Sequence, residues 1–140
     1  MSDRFFLDTN IFVYSFDRGD AAKARRATQL IREGVATRKG TVSYQVVQEF
    51  FNVALRRFAV PMPVADAEQY LATVFRPLLA VQSSQALYSE ALRLTGKHHL
   101  SWYDALIVAG AAEAGCNVLY SEDMQSGRRF GDLRIENPFV

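Results

Sequence analysis

Residues 101–123 read SWYDALIVAGAAEAGCNVLYSED, and this stretch decides the fold class. Ser101 is a natural N-cap, the residues through DALIVAGAAEAG read as a helix, and Gly115 stops it. Asn117 to Tyr120 then reads as a short buried strand that ends immediately before Ser121, Glu122 and Asp123. A helix returning to a short apolar strand, with acids at the strand's carboxyl end, is the building unit of a parallel α/β sheet.

The same alternation extends outward in both directions. Ser84 to Thr95 reads as a helix closed by Gly96, followed by a polar connector with His98 and His99, and Leu78 to Val81 reads as the third strand. Before it, a helix presenting Ala67, Tyr70, Leu71, Val74 and Phe75 is expected to stop ahead of Pro77. The segment YQVVQEFFNVALRRF, residues 44–58, is helical by period, with Val46, Val47, Phe50, Phe51, Ala54, Leu55 and Phe58 at three- and four-residue spacing. It follows a second strand at Gly40–Ser43. At the N-terminus, Phe5, Phe6 and Leu7 form a buried strand ending at Asp8, and a turn or helix covers Asn10 to Tyr14. A helix capped by Asp20 runs to about Glu33, with Gly34 as its stop. A last short strand lies around Arg134 to Glu136. The expected architecture is a three-layer α/β domain, residues 1–140, around a central, mostly parallel sheet of about five strands.

Composition sets the outer limits. The chain has 140 residues, 49% of them apolar, with 16 basic and 15 acidic residues and one cysteine. That is enough apolar content for an ordinary core without disulfides, and it argues against disorder. The N-terminus carries no basic-then-apolar secretory pattern, and the apolar runs are shorter than the roughly 20 residues that span a bilayer. The expected location is cytoplasmic.

In such a sheet ligands bind outside the carboxyl ends of the strands. Asp8 sits at one strand end and Asp123 just beyond another, while Asp104 lies in the first turn of a helix. Glu49 stands six residues after Ser43, about two helical turns in. Together they are candidates for one oxygen-rich pocket. Clustered carboxylates repel one another, and a hard divalent cation such as Mg²⁺ or Mn²⁺ relieves that repulsion. Each acid also has an ordinary reading. Asp8 can initiate a turn, Glu49 can face solvent, and Asp123 and Glu122 can both be exposed. Ser101 with Asp104 three residues on matches a capping box.

The motifs that carry these acids resemble those of one family. FLDTNIFVY resembles the opening of PIN domains, SYQVVQEFFNV the second motif, and SWYDALIVAGAAEAGCNVLYSEDMQSG the third and fourth together. The likeness covers about residues 5–135 and is nearest to the VapC-like toxins of toxin–antitoxin pairs. It implies a PIN fold and Mg²⁺- or Mn²⁺-dependent endoribonuclease activity. Asp8, Glu49, Asp104 and Asp123 would be the catalytic metal ligands, and in-line attack of a metal-activated water would leave a 5′-phosphate and a 3′-hydroxyl. Thr9 and Asn10 would support Asp8, and Ser121 would support Asp123. The resemblance further implies an RNA substrate, a separate antitoxin protein and a homodimer, for which the apolar side of the helices around residues 44–75 is the candidate surface.

Other readings stay open at the level of sequence. They are a non-catalytic PIN-like scaffold binding RNA or protein, and a DNA- or RNA-processing nuclease unrelated to toxicity. A phosphoaspartate receiver fits poorly, since no lysine follows Lys97. Arg128 and Arg129 are candidate RNA contacts. His98 and His99 lack zinc-site spacing, Cys116 reads as a buried thiol, and Trp102 and Tyr103 read as packing residues that could alternatively stack on bases.

Overall fold

The computed structural model describes residues 3–140, so Met1 and Ser2 of the expected domain lie outside it. Six strands form one sheet: β1 (Phe5–Leu7), β2 (Gly40–Ser43), β3 (Leu79–Val81), β4 (Val118–Tyr120), β5 (Arg129–Phe130) and β6 (Leu133–Glu136), in the order β3-β2-β1-β4-β6-β5. All neighbours are parallel except β5, which pairs antiparallel with β6 at the edge.

The helices are α1 (Thr9–Tyr14), α2 (Ala21–Thr37), α3 (Tyr44–Ala54), α4 (Val64–Tyr70), α5 (Arg76–Leu78), α6 (Gln85–His98) and α7 (Trp102–Glu113). The chain moves one way across the sheet from β1 to β3, then jumps back past β1 to β4. With right-handed crossovers, that reversal puts α1 and α2 on one face and α6 and α7 on the other. The two directions diverge between β1 and β4, and a crevice opens there at the carboxyl ends of the strands.

The core follows from the periodicities. The β1 strand is buried throughout, and α3 buries Val46, Phe50 and Ala54 along one stripe. From Ala105 to Ala111 every residue of α7 is buried, so this helix runs through the interior between β2, β4 and α6. Its apolar character all round is the signature of such a position. Phe12, Phe16, Phe50, Phe51, Phe58, Tyr70 and Phe75 form one aromatic cluster with ring centroids 4.9–6.4 Å apart. Most of the apolar side expected to serve a subunit interface is therefore spent closing the monomer. Val64, at 72% exposure, and Leu71 remain outside.

Several boundaries differ from the sequence reading. The second helix does not stop at Gly34 but runs to Thr37. The two glycines pack closely: a Cβ on Gly34 would lie 3.1 Å from the Gly40 Cα, and one on Gly40 2.5 Å from the Gly34 Cα. Similarly α6 passes Gly96 and ends at His98, with His99 in the left-handed conformation at its cap. In the other direction, α3 ends at Ala54 rather than near Phe58. Helical structure continues through Pro77 because Leu71–Phe75 forms a wider π turn. A proline lacks the N–H of a regular turn and crowds the carbonyl four residues back, and the widened turn relieves both. The sixth strand, β5, was not expected.

Candidate active site

The crevice holds a cavity of about 270 Å³ lined by Asp8, Thr9, Asn10, Gln45, Glu49, Asn52, Val53, Tyr103, Asp104, Ile107 and Asp123. All four candidate acids thus line one space, although they come from four separate segments. Among the described residues no lysine, arginine or histidine lines it.

Asp8 is the N-cap of α1, and this explains its orientation. Its extended backbone turns the carboxylate back over the helix start, where Oδ1 accepts from the Thr9 backbone N–H at 2.7 Å. Its Oδ2 accepts from the buried Ser121 hydroxyl at 2.8 Å. The expected turn-initiating role and a place in the pocket therefore coexist. Asp8 is 7% exposed. Burial pushes its pKa from 3.8 up to about 6, opposed by the bonds from Ser121 and Thr9 and reinforced by the charges of Asp123 and Glu49.

Glu49 reaches the cavity from the polar side of α3, and its Oε1 accepts from the Thr9 hydroxyl at 2.7 Å. Asp123 accepts from the Asn10 amide at 2.6 Å, and its own backbone N–H donates to the Ser121 hydroxyl at 3.3 Å. Partial burial first, then the negative charges of Asp104, Glu122 and Glu49, raise the Asp123 pKa. Glu122 points elsewhere, bonded to Tyr14 Oη at 2.8 Å and paired with Lys23 at 2.7 Å. Of the two neighbouring acids, Asp123 is the one that lines the cavity.

At Asp104 the capping and site readings separate by atom. Its backbone N–H donates to Ser101 Oγ at 3.2 Å, which completes the N-cap. No reciprocal bond from the Asp104 carboxylate to Ser101 is formed, and that carboxylate lines the cavity. The helix is thus capped without using the charge.

The supporting residues cross between acids. Thr9 bonds Asp8 through its backbone but Glu49 through its side chain, Asn10 holds Asp123 rather than Asp8, and Ser121 bridges Asp8 to the Asp123 backbone. Two polar lining residues were missed by sequence reasoning. Gln45 and Asn52 fall four before and three after Glu49, so the three share one side of α3 opposite Val46, Phe50 and Ala54. That polar stripe is the signal that would have found them. The Gln45 amide donates to the Tyr103 carbonyl at 3.3 Å and faces Glu49 Oε2 at 3.5 Å, and its buried Oε1 has no partner. Neither Arg128 nor Arg129 lines the cavity. The Arg128 guanidinium donates to the His98 carbonyl at 2.9 Å and sits 4.9 Å over the Phe130 ring.

As the side chains stand, no three His, Cys, Asp or Glu among the described residues converge on one coordination sphere. The bonds from Thr9 and Asn10 hold Glu49 and Asp123 at the cavity wall. The donor set nonetheless fits a hard divalent cation. Its charged groups are all carboxylates, no cationic side chain lines the space, and the buried Asp8 carries a raised pKa that a cation would lower.

Solved structures reproduce this fold. A toxin–antitoxin complex from Klebsiella pneumoniae matches with TM-score 0.67 and 19% identity, covering 95% of this chain and 96% of that one. The Mycobacterium tuberculosis VapC toxin described as cleaving the sarcin-ricin loop matches with TM-score 0.60 and 25% identity, over 85% and 89% of the two chains. A VapBC complex from Rickettsia felis, bound to promoter DNA, matches with TM-score 0.62 and 17% identity over 95% and 97%. No curated protein matches the sequence. The family model of the PIN domain matches residues 5–129, and with the sheet order and the four acids in place the chain belongs to the PIN-domain family.

Proposed function

We propose that this chain, a single domain over residues 1–140, is a Mg²⁺- or Mn²⁺-dependent endoribonuclease and the toxin of a toxin–antitoxin pair. One observation carries the reading: four carboxylates from distant segments line a single cavity into which no cationic side chain projects. Membership of the PIN family supports a hydrolase acting on nucleic acids, and likeness to the Klebsiella toxin–antitoxin complex and the Rickettsia VapBC complex supports an antitoxin partner.

Asp8, Glu49, Asp104 and Asp123 would hold the metal. When bound, such an ion stabilises phosphoryl charge and makes water more acidic. The chain's own residues do the positioning. Thr9 fixes one Glu49 oxygen, Asn10 fixes Asp123, and Ser121 holds Asp8 and the Asp123 backbone together, so three of the four carboxylates are held in defined orientations. Metal ligands oriented in this way bind more tightly than free ones.

Toxicity of an unrestrained ribonuclease requires a separate antitoxin. Among the described residues no helix is long and apolar enough to cross a membrane, which accords with a cytoplasmic site of action. Exposed Val64 and Leu71 support a homodimer through the outer side of α4 and the π turn. The deciding experiment incubates purified protein with total host RNA in chelator, then with Mg²⁺ or Mn²⁺ restored, and sequences the ends. Metal-dependent cuts carrying 5′-phosphates, lost in Glu49→Gln, are expected. Cleavage that persists after verified metal removal, or of DNA alone, overturns the assignment.

A further inference from the structure

We propose that Tyr103, with Trp102 beside it, forms a platform on which bases of single-stranded RNA stack next to the phosphate that enters the acidic cavity. This rests on the nuclease reading above for its substrate class. Among the described residues Tyr103 is the aromatic side chain that lines the acidic cavity, and it is 64% exposed. Packing would have predicted burial, since the following residues of α7 are buried on every side. Instead Tyr103 is both exposed and part of the cavity lining, directly before Asp104 in the chain.

Its main chain is anchored. The Gln45 amide holds the Tyr103 carbonyl at 3.3 Å, and Gln45 shares its face of α3 with Glu49. The Tyr103 backbone is thereby tied to the helix that carries Glu49. Trp102, next to it in the chain and 36% exposed, lies tilted against Tyr88 with centroids 6.1 Å apart.

Electrostatics assigns the occupant. Without its metal the carboxylate-lined cavity repels the phosphates of the strand it must receive, and neither Arg128 nor Arg129 lines it to offset that repulsion. Base stacking supplies affinity without charge, tolerates any base, and requires bases that are not already paired. An exposed tyrosine on an anchored helix start, opening onto the cavity, meets that need.

Trp102 is the only tryptophan of the chain, so its emission reports on the platform directly. The test titrates the full-length protein, in chelator so that nothing is cut, with a short mixed-sequence single-stranded oligoribonucleotide and with an abasic strand of equal length. Quenching by the base-containing strand, with binding about fivefold to 100-fold tighter than the abasic strand, is expected from one or two stacked bases. Tyr103→Phe should keep that preference and Tyr103→Ala should lose most of it. Equal binding of the two strands by the wild type, or an undiminished preference in Tyr103→Ala, overturns the proposal. If Tyr103→Ala fails to fold, the wild-type comparison decides alone. A base preference in a protein that cuts no RNA would sink the nuclease reading and leave the platform standing. Cleavage without base preference would do the reverse.

Discussion

Replacing Asp8 with asparagine should make the metal-free protein more stable while abolishing cleavage. The buried carboxylate has its pKa raised from 3.8 to about 6, chiefly by burial. At about 1.4 kcal/mol per pH unit, holding the ionised form costs about 3 kcal/mol of folding free energy at neutral pH. The folded-state value lies above the unfolded one, so the folded chain keeps a proton that the unfolded chain releases between about pH 4 and pH 6. Stability therefore falls as pH rises through that window, and the full cost is present above it. Asparagine removes the charge at nearly constant volume. The opposing bonds from Thr9 and Ser121 are already contained in that shift. A gain of about 3 kcal/mol at pH 7.5 should raise Tm by roughly 10 °C for a domain of this size. Thermal and urea denaturation in chelator, at pH 7.5 and pH 4, measure it. The gap between variant and wild type should close at pH 4, where Asp8 is protonated. Added Mg²⁺ should stabilise the wild type at pH 7.5 far more than the variant. A less stable Asp8→Asn protein at pH 7.5, or a gap independent of pH, would refute the reasoning.

Asp104→Asn should leave stability within about 0.5 kcal/mol, since the N-cap uses the Asp104 backbone and not its carboxylate, yet reduce cleavage by orders of magnitude; Ser101→Ala should do the opposite and cost about 1 kcal/mol. Denaturation curves and initial rates on both variants separate the two roles, and a folded, fully active Asp104→Asn protein would return the carboxylate to structure alone. Thr9→Val removes the hydroxyl that fixes Glu49, and calorimetric titration with Mn²⁺ should show about 10- to 100-fold weaker binding. Unchanged affinity would mean that Glu49 is oriented without it. Gly40→Ala should destabilise by about 3 kcal/mol or more, because the new Cβ meets the Gly34 backbone and not a movable side chain. A melt within about 1 kcal/mol of wild type would show that α2 can shift away from β2.

Which parts of the fold were legible in the sequence depends on whether the deciding contact is local. Phe5–Leu7 and Val118–Tyr120 are continuous apolar runs ended by polar residues, and their pattern needs no partner to be read. Glycine is different. The residue's intrinsic preference makes Gly34 and Gly96 read as helix ends, but both are inside helices. Gly34 is required by the backbone of Gly40 across the interface, and the actual caps are Arg38 and His99 with positive φ. A side chain that does not exist leaves no local sign of what comes close to it. Pro77 misled for a related reason, since the π turn that accommodates it is visible only in the backbone. The edge strand β5 has two residues, too few for any period to register.

The candidate site divides along the same line. Asp8 and Asp123 could be placed because strand ends locate them, and Asp104 because a helix start does. Glu49 stood out as a carboxylate among Val46, Val47, Phe50 and Phe51, and the polar stripe of Gln45 and Asn52 on either side of it explains why the helix tolerates it there. The cross-links were not legible, since Thr9 meets Glu49 across 40 positions, and Asn10 and Ser121 each meet an acid across 113. The motif around Asp8 suggests that neighbours in sequence support one another. The structure shows why the geometry goes further. Asp8 caps α1, so Thr9 and Asn10 begin that helix with their side chains projecting across the crevice, toward α3 and the loop after β4. One capping interaction thereby orients the Asp8 carboxylate and also delivers the two donors that hold Glu49 and Asp123. The stability that Asp8→Asn should release is the cost of keeping that arrangement charged.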